Sequence, residues 1–69
     1  MEKRMYAKSE LANAYLPHLE PRSATNRLMA WIKHNEALMQ ALVQTGYYPT
    51  QKYFSPLQVS LVVDVLGEP

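Results

Sequence analysis

KSELANAYLPHLEPRSATNRLMAWIKH, residues 8–34, is the stretch whose reading decides the fold. Ser9 is a residue type favoured at a helix N-cap, because its hydroxyl accepts from an amide left unpaired in the first turn. Glu10 then lies near the positive end of the helix dipole. A first helix is expected over Ser9 to Tyr15, with Leu11 and Tyr15 one turn apart on a shared face, as are Ala12 and Leu16. Pro17 ends it, since the residue before a proline is pushed out of the α region. A corner, Leu16-Pro17-His18-Leu19-Glu20-Pro21, follows, with Leu19 expected to turn into the core and His18 and Glu20 to point out. A second helix is expected from Arg22 to Lys33, with Pro21 at or just before its first turn, where a missing amide hydrogen is harmless. Ala24, Leu28, Trp31 and Ile32 form its apolar stripe, and Trp31 is expected to contribute most to burial. The opposite face carries Arg22, Asn26, Met29, Ala30 and Lys33, with Arg27 beside the stripe. Two helices joined by a corner are the plan of a helix-turn-helix, whose second helix can enter the DNA major groove.

Downstream, His34 and Asn35 break the second helix, and Asn35 is placed to cap a third, Glu36 to about Thr45. Leu38, Ala41, Leu42 and Thr45 make its inner stripe. Gly46 suits the left-handed position just past a helix end, with Tyr47 packing back on Leu42. Tyr47 to Phe54 is aromatic and holds a proline, which reads as an extended or hairpin-like segment. Upstream, Lys3 to Ala7 is too short for a helix and reads as an edge strand. The two segments are expected to pair, resting on the helices, because two strands alone are marginal. Ser55-Pro56-Leu57-Gln58 opens a fourth helix: Ser at the cap, Pro at the first position and Gln three after the Ser form a capping box. Its body, Val59 to Leu66, has strand-like valines, but the cap and Gly67 decide for helix. Leu57, Leu61 and Val65 lie on one side, and Val59, Val62, Val63 and Leu66 on others. A helix apolar all round in so small a domain implies a partner surface.

The whole chain sets the bounds. Its 69 residues make one domain, 1–69, with no internal repeat. A core this small is marginal, and with no Cys it has neither disulfide nor thiolate-bound metal to help. The start has no apolar run of a signal peptide, and no stretch approaches the ~20 apolar residues of a membrane span. A soluble cytoplasmic protein is expected. Seven Lys and Arg against six Asp and Glu give a net charge of +1, low for a nucleic-acid binder. The distribution is less even: Arg22 to Lys33 holds three cations and no acid, and Lys52 is the only later cation. A local basic face is therefore compatible with a nearly neutral molecule.

Two resemblances follow from these residues. Tyr6-Ala7-Lys8-Ser9-Glu10-Leu11-Ala12, with Ser23 to Ile32 and then Lys52-Tyr53-Phe54-Ser55-Pro56-Leu57-Gln58-Val59, resembles winged helix-turn-helix domains of the mercury-resistance-regulator and excisionase type. That resemblance implies DNA binding by the second helix. This chain departs from it in a longer corner, an additional third helix, and Met29 and Ala30 among the groove-facing positions. A closer resemblance covers nearly the whole chain. Lys8-Ser9-Glu10-Leu11-Ala12, Leu28-Met29-Ala30-Trp31-Ile32, Thr45-Gly46-Tyr47, Phe54-Ser55-Pro56 and Leu66-Gly67-Glu68-Pro69 resemble a family of short bacterial proteins of unknown function. It implies a small helical fold and adds nothing about mechanism.

The fold expected is therefore mostly α: a compact four-helix, winged-helix-like domain with a small two-stranded β element. The candidate DNA contacts are Arg22, Asn26, Arg27 and Lys33. Arg and Asn have bidentate geometry for guanine and adenine edges, and Lys33 suits a phosphate. The competing reading of the same residues is a solvated helix face. Tyr6, Tyr47, Tyr48, Tyr53 and Phe54 are either core volume or a stacking platform for bases. An accessory regulator that binds double-stranded DNA, as a dimer, is one functional expectation. The alternative is an interaction or homodimerisation module using Val59, Val62, Val63 and Leu66. Catalysis is not expected: Ser9, Ser23 and Ser55 read as caps or first-turn residues, no His lies near them by spacing, and the carboxylates are scattered. His18 and His34 are too few for a metal site. No cofactor, small-molecule substrate or membrane contact is expected.

Overall fold

Local signals set most of the helix ends. In a computed structural model that describes residues 2–69, the chain forms β1 (Tyr6–Ala7), α1 (Lys8–Tyr15), α2 (Pro21–Lys33), α3 (Glu36–Gln44), β2 (Tyr53–Phe54) and α4 (Pro56–Leu66). The fold is mostly α with a small antiparallel sheet, as expected. Asn35 caps α3, its side-chain oxygen accepting from Leu38 N–H at 3.0 Å. Past α3, Gly46 takes φ +93°. Gly46 N–H then reaches Val43 O at 3.0 Å and Tyr47 N–H reaches Leu42 O at 3.2 Å, the paired bonds of a Schellman end. Both halves of the capping box open α4: Gln58 N–H donates to Ser55 Oγ at 3.2 Å, and Ser55 N–H donates to Gln58 Oε1 at 3.0 Å.

The first helix departs from expectation. It begins at Lys8, and Ser9 is not its cap. Ala7 holds the cap position with φ −63° and ψ 147°, because it is still a strand residue paired with Tyr53. The helix leaves directly from the strand, and Ala7 N–H donates to the Glu10 carboxylate at 3.3 Å in place of a hydroxyl cap. Pairing runs Tyr6 to Phe54 and Ala7 to Tyr53, so the extended segments meet as expected, over shorter lengths.

One core sits beneath the sheet and between the helices. α1 gives Leu11 and Ala12, α2 gives Ala24, Leu28 and Ile32, α3 gives Leu38 and Leu42, and α4 gives Val59 and Val62. Tyr6, Leu16, Tyr47 and Phe54 complete it, with the Tyr47 and Phe54 rings stacked 5.9 Å apart at 20°. α1 and α2 make the most extensive helix contact. Their corner is tied by Asn13, whose side-chain amide donates to Leu19 O at 3.1 Å. Leu19 is partly buried there, while His18 and Glu20 are exposed.

Trp31 is the main correction within α2. It is 39% exposed, not the centre of burial. The buried stripe follows four-residue steps, Ala24, Leu28 and Ile32, which leaves Trp31 on its flank.

Candidate nucleic-acid interface

α2 projects its polar residues because its other side is consumed by the core. Arg22, Asn26 and Lys33, at spacings of four and seven, fall on one outward stripe. All are exposed. Arg27 is exposed too, but on the other flank, one turn from Trp31. The structure thus brings together three of the expected contact residues and sets the fourth aside. Among the described residues none of these side chains has a hydrogen-bond or ion-pair partner, so their donors remain free for a ligand. Met29 and Ala30, expected on this face, are half-buried. The Tyr47 hydroxyl contacts Met29 Sδ at 3.9 Å, which draws Met29 towards the core edge.

Two other cations, Arg4 and Lys8, are engaged internally. Arg4 donates to Glu10 at 2.6 Å and lies 3.7 Å over the Tyr6 ring. The hydrogen bond to Glu10 raises the Arg4 pKa, and the same bond holds the Glu10 carboxyl below its ordinary value. Lys8 is buried, a role the sequence did not announce. Its Nζ donates to Pro49 O at 2.9 Å and stands 4.9 Å from the Tyr47 ring centre. Its flexible stem crosses apolar surface while the head finds a carbonyl and a ring. Lys52 has no such role and remains exposed.

The aromatic residues divide. Tyr6, Tyr47 and Phe54 are core volume, whereas Tyr48 and Tyr53 are more than half exposed. The surface expected on α4 does not exist as drawn. Val59 is 1% and Val62 0% exposed, because the α4 face that carries them closes the domain's own core. Val63 and Leu66 are partly buried against that core. The apolar residues that α4 does expose are Leu57 and Val65, with Leu61 partly buried between them.

Near the C-terminal end, the Tyr15 hydroxyl donates to Gly67 O at 2.5 Å. Burial raises the Tyr15 pKa, and nearby Glu68 adds to the effect. His18 and His34 are exposed, and among the described residues no group of His, Cys, Asp or Glu could hold a metal. No helix is long and apolar enough to cross a membrane.

Comparison with curated proteins and with solved structures returned no match. One family model does match, over residues 2–69, and its description is a domain of unknown function, DUF4248. With that match spanning the four helices and the sheet described above, the chain belongs to the DUF4248 family.

Proposed function

We propose that this domain binds double-stranded DNA by laying α2 in the major groove, with α1 packed behind it. The observation that carries the reading is the outward stripe Arg22, Asn26 and Lys33, exposed and without internal partners. Arg22 and Lys33 are eleven residues apart, about 16 Å along a helix axis. The major groove is about 12 Å wide, so side chains at the two ends of such a helix reach its opposite phosphate walls. Asn26 between them faces the base edges, where a side-chain amide pairs with adenine. The helix-turn-helix likeness of the α1–corner–α2 unit belongs to this same proposal, and the role is binding rather than catalysis.

Fluorescence anisotropy of a labelled duplex at two salt concentrations fourfold apart tests it. If Arg22 and Lys33 each neutralise one phosphate, a slope near −0.9 per phosphate makes their share of the loss about twelve-fold. Arg22→Ala with Lys33→Ala removes that share and leaves the fold intact, since both side chains are exposed. Wild-type protein with no salt-dependent binding overturns the reading. A second reading, self-association, is favoured by the Leu57, Leu61 and Val65 ladder on α4.

A further inference from the structure

Beside α2 the surface is concave. A cleft of about 500 Å³ lies between the Thr25–Met29 flank of α2, the first turn of α1 and the segment 49–53. Met29 and Pro49 give it apolar surface, and Ser9, Lys52 and Tyr53 give it polar edges. Lys8 also lines it, with its ammonium held by Pro49 O, so one free lysine, Lys52, and no carboxylate line the space. Its position is continuous with the stripe, because Met29 lies one turn from Lys33 and two turns from Arg22.

We propose that this cleft seats one sugar–phosphate unit of the DNA strand that borders the groove taken by α2. The inference rests on the reading of α2 given above and extends the contact to a second element. Lys52 neutralises the phosphate. The Ser9 and Tyr53 hydroxyls, neither with a partner among the described residues, donate to its free oxygens. Met29 and Pro49 meet the apolar face of the deoxyribose. An acidic or apolar ligand alone fits less well, the first leaving the apolar surface unused and the second leaving Lys52 unmatched.

The segment carrying Lys52 is already held in place. Lys52 O accepts from Lys8 N–H at 2.9 Å, and Pro49 O accepts from Lys8 Nζ at 2.9 Å. Gln51 donates to Tyr53 O at 2.6 Å and to Gln58 Oε1 at 2.9 Å, and accepts from Tyr48 N–H at 3.1 Å. A surface fixed before the ligand arrives loses little conformational freedom on binding.

The test compares duplex binding by wild type, Lys52→Ala and Lys33→Ala across the same fourfold salt range. Lys52→Ala keeps the carbonyl that Lys8 uses, so an unchanged circular dichroism spectrum and melting curve are expected. Loss of one phosphate contact lowers the salt slope by about 0.9 and shrinks the fourfold-salt penalty about 3.5-fold. Preference among duplex sequences stays as it was, because a phosphate contact carries no base information. A wild-type slope in Lys52→Ala, alongside a reduced one in Lys33→Ala, overturns the cleft and leaves the α2 reading standing. No salt-dependent binding by wild type overturns both.

Discussion

Phe54 and Trp31 are the largest apolar side chains outside the tyrosines, and the fold uses them in opposite ways. Phe54 is 0% exposed beneath the sheet and stacks on Tyr47. Phe54→Ala therefore leaves a cavity and is expected to cost about 3–5 kcal/mol. A chain of this length holds only about 0.05–0.15 kcal/mol per residue, so that loss removes most of its stability. Trp31→Ala is expected to cost well under the Phe54 value, since Trp31 stands on the flank of the buried stripe. Urea melts of the two variants read the difference, and the reverse order would mean that α2 is rotated about its axis. Position in the stripe was legible for Ala24, Leu28 and Ile32. It was not legible for Trp31, because a flank residue is covered or left open by whatever the neighbouring helices bring. Lys8 was hidden for the same reason: its carbonyl acceptor is Pro49, 41 residues away.

At the scale of elements, the capping signals carry the information. Ser55, Pro56 and Gln58 define the start of α4, and Gln58 goes further than a cap. Its amide also donates to Thr45 Oγ1 at 2.9 Å, and that hydroxyl donates to Leu42 O at 2.6 Å, so the start of α4 is bound to the end of α3. Ser55→Ala removes the acceptor of Gln58 N–H and is expected to cost about 1 kcal/mol, seen as a lower urea midpoint at unchanged slope. An unchanged midpoint would mean that the Gln58 network holds the helix start without its cap. These ends were readable because a cap is a contact within a few residues. The start of α1 was misread by one residue, since Ala7 is fixed by β2 from across the chain. The outer face of α4 was misread as well. Periodicity shows a helix apolar on several sides, but only the packed molecule shows that Val59 and Val62 take the core and Leu57 and Val65 the solvent. The outward stripe on α2 was legible for Arg22, Asn26 and Lys33, and Arg27 stands beside the apolar stripe as expected, whereas Met29 and Ala30 are half-buried by what packs against them.

At the scale of the whole molecule, a body of 31 × 24 × 21 Å carries a net charge of only +1. Any attraction to DNA must then come from a local face and fade within about one Debye length, ~10 Å at 0.1 M salt. Apolar association behaves differently. If the Leu57, Leu61 and Val65 ladder pairs two copies, sedimentation at high salt gives a mass above one 7.9 kDa chain, and Leu57→Glu returns it to one. A single-chain mass at every salt concentration overturns that second reading. The sheet has one more consequence. Among the described residues Tyr6 has its strand partner only in Phe54, yet α1, α2 and α3 lie between them in sequence. During synthesis a nascent fragment ending before Phe54 lacks Phe54, Val59 and Val62, and so cannot complete the core around Leu11, Leu28 and Ile32. Maturation of this domain is therefore a late event, complete only once α4 has followed Phe54.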